Sequence, residues 1–140
     1  SKPKFEQMLK DGDFLEYATV HSNNYYGTFK DDIVEPLKEG AVVLREVDMQ
    51  GVHSIRDLIP KKNLVSIFMK VSDLEDLRSR ILRRGELPEE EVNRRIESAK
   101  KEIAQEGDCD YQVANEWGKV NECVSDVEKI ILAEIKGLYG

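Results

Sequence analysis

Apolar positions recur along this chain at two periods in turn, one near 3.6 residues and one continuous or alternating, which predicts helices and strands in succession. Phe5, Met8 and Leu9 share a face of a short helix that Ser1 can cap and Gly12 can end. Phe14–Val20 reads as a strand. Thr28, with Asp31 three residues on, resembles a capping box; it opens a helix carrying Ile33, Val34 and Leu37 inward, closed by Gly40. Residues 41–48 and 64–71 are β-type runs, apolar enough for strands covered on both faces. Ser72 and Glu75 form a second capping box, and the helix behind it turns Leu74, Leu77 and Ile81 inward and stops at Gly85. Pro88 suits the first turn of the next helix, whose stripe is Val92, Ile96, Ala99 and Ile103. Residues 111–115 read as a short strand, and a last helix carries Val120, Val124, Val127, Ile131 and Ile135 at helical spacing. This alternation predicts an α/β fold with a mostly parallel sheet and helices on both faces. In such sheets ligands sit at the carboxyl ends of strands, where Asp48 and Asn115 both fall.

The 140 residues are enough for one domain with a real core. Apolar residues make up 40% and charged residues 35%, the balance of a soluble globular domain, and no apolar run reaches membrane-spanning length. Twenty-one basic against 28 acidic residues leave a net charge of −7, which argues against general nucleic-acid binding. Cys109 and Cys123 lack C-x-x-C spacing and a nearby His, so they read as thiols of a reducing cytoplasm. His21 and His53 show no metal-ligand pattern. Trp117 and the methionines read as packing residues.

Candidate chemistry concentrates in two regions. Glu16 interrupts an apolar strand, where a carboxylate is costly to bury unless paired. Guanine offers it two parallel donors, N1–H and N2–H₂; adenine lacks them, and an unpaired site can reject adenine by as much as about 10⁴-fold. A strand-end Glu facing water is the equal alternative. Tyr25 and Tyr26 are either packing aromatics or phenols for a phosphate; Thr28 by itself reads first as a helix cap. Asp48 closes an apolar run, a common place for nucleotide or metal chemistry. The second region gathers Arg78, Arg80, Arg83, Arg84, Arg94 and Arg95. Guanidinium forks match phosphate oxygens, although Glu86, Glu89, Glu90, Glu91 and Glu97 make a solvated, self-neutralised face the plainer reading of charge alone.

Taken together, Phe14-Leu15-Glu16, Tyr25-Tyr26-Gly27-Thr28, Asp48-Met49-Gln50-Gly51, Ile67-Phe68, Arg80 with Arg84-Gly85, Arg95, and Asp110-Tyr111 with Asn115 resemble the guanylate kinases. These enzymes move the terminal phosphate of ATP onto GMP, giving ADP and GDP. The resemblance runs from about Phe5 to about Ile131 and implies a partial P-loop nucleoside-monophosphate-kinase fold. It implies a GMP-binding region over 1–38, a core over 39–78 and 108–140, and a lid with its following helix over 79–107. By the same resemblance Glu16 binds the guanine edge, Thr28 contacts guanine, and Tyr26 binds the GMP phosphate. Glu46 and Asp48 complete the GMP site, with Asp48 ordering the base or a metal-bound water. Arg80, Arg84 and Arg95 are the lid arginines that neutralise the transition state, with Arg80 and Arg84 also on ATP, and Asn115 contacts adenine. Mg²⁺ enters with ATP and has no direct protein ligand. The implied setting is cytoplasmic.

The chain also departs from that pattern. It contains no G-x-x-x-x-G-K-[ST] to cradle the ATP phosphates. The family's opening strand, phosphate loop, helix and GMP-clamping arginine pair are not matched. The expectation is therefore a fragment, or partial record, lacking the central P-loop strand. Its sheet edges would be exposed to self-association, and it would have negligible kinase activity alone. Ser22-Asn23-Asn24 is one residue longer than the usual Gly-Asn turn, Lys70-Val71-Ser72 replaces Pro-Pro-Ser, and Glu116-Trp117 follows Asn115 where acids are usual. The rival function is a non-catalytic guanylate-kinase-like module binding GMP or phosphopeptides, which has no need of the three lid arginines. A kinase for another nucleoside monophosphate is disfavoured by the Glu16 and Thr28 pair.

Overall fold

A computed structural model describes residues 2–20 and 24–139, apart from the side chains at 16, 18–20, 24–26, 138 and 139. The Ser1 cap, His21 and the lengthened turn at residues 22–24 lie wholly or partly outside that description. The chain divides into two compact units, residues 1–64 and 65–140.

In the first unit, helix α1 (Lys2–Asp11) precedes strands β1 (Phe14–Val20) and β2 (Asn24–Phe29), which pair antiparallel. Helices α2 (Asp31–Lys38) and α3 (Met49–Leu58) follow. Phe5 of α1 meets Phe14 of β1 with centroids 4.5 Å apart, and Phe14 stacks on Phe29 of β2 at 4.9 Å. Offset aromatic contacts of this kind add to simple burial. Leu15, Ile33 and Ile55 form the buried centre, flanked by Leu37, Val43, Val47, Ile59 and Leu64.

Two expectations fail in this unit. Thr28 is not the cap of α2: it lies inside β2, the capping position is Lys30, and no side chain caps that helix. Asp31 and Asp32 in the first turn supply the favourable charge instead. Gly40 does terminate the segment, at φ 81 with its N–H donated to the Leu37 carbonyl, a left-handed exit that residues with a Cβ rarely adopt. The run at 41–48 is not a strand among the described residues. A strand requires a ladder partner, and none is described for this segment. Val43 and Val47 pack on the core, but Val42 and Leu44 stand 60% and 74% exposed.

In the second unit, strand β3 (Ile67–Lys70) precedes helices α4 (Leu74–Arg83) and α5 (Glu89–Ile103), strand β4 (Tyr111–Ala114) and helix α6 (Val120–Tyr139). β3 and β4 pair in parallel, Ile67 opposite Tyr111 through Lys70 opposite Ala114. The fold is thus α/β, with one parallel and one antiparallel two-stranded sheet. The strand expected over 64–71 is shorter because its ladder is only as long as β4. At its leading edge Asp110 Oδ2 accepts from the Ser66 backbone N–H at 2.9 Å and from Ser66 Oγ at 2.6 Å, while the Asp110 N–H donates back to Ser66 Oγ at 3.1 Å. That clamp fixes the register where the ladder begins.

The cap of α4 is Asp73, whose Oδ1 accepts the Asp76 N–H at 2.7 Å, rather than Ser72. A carboxylate one residue later outcompetes the hydroxyl because it also meets the helix dipole. Ile81 and Val92 are buried on α4 and α5 as the periodicity predicts, and Pro88 occupies the N-cap of α5. On α6 the expected stripe holds at Val127, Ile131 and Ile135, which are half-buried, but Val120 and Val124 are exposed and Cys123 is the buried residue of the first turns. Tyr111 Oη donates to Glu134 Oε1 at 2.5 Å and ties α6 to β4. No helix among the described residues is long and apolar enough to cross a membrane.

Candidate functional site

The residues singled out from the sequence fall into two groups, one per unit. In the first unit the hairpin register sets Glu16 directly opposite Thr28 and Ala18 opposite Tyr26. Register partners across an antiparallel pair are the closest neighbours a sheet offers. The backbones at 16 and 26 are thereby placed; the directions of the Glu16 and Tyr26 side chains lie outside the described residues. Thr28 is 1% exposed, and its Oγ1 accepts from Arg45 Nε at 3.2 Å. A buried hydroxyl must be hydrogen-bonded, and here the partner is a cation carried by the 41–48 segment. Arg45 escaped the sequence reading because its segment was read as a fully covered strand.

That same segment ends at Asp48, whose extended backbone makes it the N-cap of α3. Asp48 Oδ1 accepts the Gly51 N–H at 2.8 Å, which holds the carboxylate at the start of the helix while the residue stays exposed. Gly51 is required there: a Cβ at that position would lie 2.9 Å from Val47 Cβ and 3.4 Å from Asp48 Oδ1. Glu46, two residues earlier, is exposed.

The arginine group belongs to the second unit. Arg80 forks onto Asp76, Nε to Oδ1 at 3.1 Å and Nη2 to Oδ2 at 2.6 Å, with both side chains largely buried. Its Nη2 also donates to the Asn115 carbonyl at 2.5 Å, and the Asn115 N–H in turn donates to the Lys70 carbonyl at 2.7 Å. Arg80 and Asn115, picked from separate motifs, are therefore joined at the carboxyl ends of β3 and β4. The Asp76 partner was legible as an i,i+4 pair on one helix face. Arg95 Nε donates to Glu91 Oε1 at 2.9 Å, and Arg94 shares Glu91. Arg78 reaches from α4 to Glu89 of α5 at 2.7 Å, and this contact raises its pKa further above the ordinary arginine value. The self-neutralised reading thus describes Arg78, Arg94 and Arg95. Arg84 is exposed at the C-cap of α4, and neither it nor Arg83 has a carboxylate partner among the described residues. Arg83 lies over the Trp117 ring, 4.3 Å from its centroid, and Arg80 stands 5.9 Å from the same ring.

No cluster of three or more potential metal ligands occurs among the described residues.

The family model described as guanylate kinase matches residues 1–134. The guanylate kinase of Clostridioides difficile is 41% identical over 134 residues, covering 96% of this chain and 63% of that protein. The one from Clostridium tetani is 40% identical, covering 96% and 62%. The chain therefore spans just under two thirds of the length of these relatives. A crystal structure of the guanylate kinase from Anaplasma phagocytophilum superposes with a TM-score of 0.77, at 24% identity, over 96% of this chain and 62% of that one; it speaks for the fold. With the hairpin, the capped carboxylate and the arginine-bearing helix following one another in the matched order, the chain belongs to the guanylate kinase family.

Proposed function

We propose that this chain carries the GMP site, the lid and part of the core of an enzyme that transfers phosphate from ATP to GMP. What supports the reading above all is the pairing of Glu16 with Thr28 across the hairpin, with Thr28 buried and held by Arg45. An acid and a hydroxyl residue at opposed register positions of one ladder supply the acceptor and donor types that the N1/N2 and O6 edge of guanine requires. Tyr26, two residues from Thr28 along β2, serves the GMP phosphate, and Asp48 and Glu46 order the base or a metal-bound water.

In the transfer, an oxygen of the GMP phosphate forms a bond to the terminal phosphorus of ATP while the bond to the ADP oxygen breaks. No strong base is needed, because the attacking oxygen is already anionic. Catalysis comes from alignment and from neutralising charge spread over the moving group. Arg80, Arg84 and Arg95 take that second task. Arg84, exposed and without a described carboxylate partner, gives up least to do so. Arg80 exchanges Asp76 for phosphate oxygens, and Asn115 contacts adenine. Mg²⁺, when bound with ATP, would supply further charge neutralisation.

Because the 140 residues contain no G-x-x-x-x-G-K-[ST] loop, the chain by itself turns over negligibly, in a cytoplasmic setting. The decisive experiment is calorimetric titration with GMP and with AMP. GMP is expected to bind at least about 100-fold more tightly, and E16Q to erase most of that preference. Equal binding of the two nucleotides overturns the reading, as does ADP release at enzyme-like rates for the inactivity of the isolated chain.

A further inference from the structure

Arg45 lies on the segment that joins α2 to α3, close before Asp48 in the chain. The residue is exposed, yet one end of its guanidinium is fixed, because Nε donates to Thr28 Oγ1 at 3.2 Å. A neutral hydroxyl holds the group in place and leaves its charge uncompensated. No carboxylate pairs with it among the described residues, although Glu46 follows it in sequence. A guanidinium carries five N–H donors in a rigid fork. Nε uses one, and the terminal pair on Nη1 and Nη2 makes no hydrogen bond among the described residues.

Two parallel donors match two adjacent acceptors, and guanine presents such a pair at O6 and N7. Adenine does not, because its amino group at ring position 6 is a donor. The hairpin indicates which edge of a base Arg45 meets. Glu16 and Thr28 are register partners. With N1 and N2 taken by the acid at 16, the next polar atom round the ring is O6, toward Thr28, and N7 lies beyond it. Thr28 is 1% exposed and bonded to Arg45, so the donors accessible to a base at that end are those of the guanidinium.

We propose that Arg45 is a base-specificity residue, reading the O6/N7 edge of guanine with its terminal nitrogens while Thr28 holds it in place. The inference rests on the GMP reading and adds a second recognition edge to it. Glu16 selects the 2-amino side of the base, and Arg45 selects the oxo group together with the ring nitrogen beside it.

The test is calorimetric titration of the full 140-residue chain with GMP, IMP and 7-deaza-GMP, in which a carbon replaces N7. GMP is expected to bind about tenfold more tightly than 7-deaza-GMP, within the range of a bidentate arginine–guanine pair. R45Q should weaken GMP about tenfold and bring it level with 7-deaza-GMP, while the ratio of GMP to IMP, which reports the 2-amino group, stays as in the parent. An arginine that only supports the fold, or that binds the phosphate, would lower all three nucleotides alike in R45Q, and that result overturns the proposal. So does a parent chain that binds 7-deaza-GMP like GMP, a measurement that stands even where R45Q fails to fold. The two readings separate cleanly. A chain that prefers GMP to AMP but ignores N7 loses this inference and keeps the proposed function. A chain whose N7 preference vanishes in R45Q, while E16Q leaves its choice between GMP and IMP untouched, keeps this inference and loses the Glu16 assignment. Absence of any GMP binding overturns both.

Discussion

Replacing Gly51 by Ala sets two opposing effects against each other in one turn of helix. Gly51 is the third residue of α3, and alanine there would ordinarily stabilise by about 1 kcal/mol through lower backbone entropy in the unfolded chain. The new methyl carbon, however, would stand 2.9 Å from Val47 Cβ, well inside the roughly 3.5–4.0 Å of comfortable carbon contact. Both atoms are fixed to backbone, so no rotamer change relieves the clash. Overpacking of this kind costs about 1–3 kcal/mol, and displacing Asp48 from the Gly51 N–H forfeits about 1 kcal/mol of capping. The expected net is a destabilisation of about 1–3 kcal/mol. Gly137, near the end of α6, meets nothing within 4 Å, so the same substitution there should be neutral or stabilising by up to about 1 kcal/mol. Urea unfolding followed by far-UV circular dichroism compares the two directly, with the midpoint read at unchanged slope. Because the clash disturbs the Asp48 carboxylate, G51A should also weaken GMP binding in calorimetry, whereas G137A should not. A G51A protein as stable as the parent would refute the steric argument and with it the account of how Asp48 is held.

Removing the Asp110 carboxylate tests the register clamp. D110A should cost about 2 kcal/mol in urea unfolding, since two charge-assisted bonds to Ser66 are lost and Ser66 is buried; a change within about 0.5 kcal/mol would mean that the clamp does not hold the strand pair. The Tyr111 phenol donates to Glu134, and that bond and charge, with some desolvation and the Asp110 charge, raise its pKa above the usual 10.0. The folded state therefore keeps the proton longer than the unfolded state. The associated stability is present in full below pH 10 and is lost as pH rises through the higher folded value. Y111F should flatten this alkaline decline. The difference in tyrosinate absorbance between the parent and Y111F should titrate above pH 10; a midpoint at or below it would contradict the bond.

The hydrophobic periodicity was sufficient to place most helices, because the buried residues of an amphipathic helix are spaced by local geometry alone. Phe14–Val20 was legible as a β-type apolar run between turn residues. The donor set was legible one residue at a time: the strand carboxylate at 16, the acid at 48 and the arginine cluster each break a local rule. The local pattern pointed to Ser72 as the cap of α4, and the three-dimensional turn chose the carboxylate of Asp73 instead. Thr28 shows the limit more sharply. Its spacing to Asp31 imitates a cap, but its role comes from Arg45, 17 residues away in the chain. The run at 41–48 carries every local mark of a strand, yet strand identity is a property of pairs, and no single segment can declare its partner. The meeting of Arg80, Asn115, Arg83 and Trp117 is likewise absent from any window of sequence. The amino-acid order determined which residues were unusual and which elements they would ride on. Only the tertiary structure decided which of them stand together, because contacts between distant residues depend on how the elements pack.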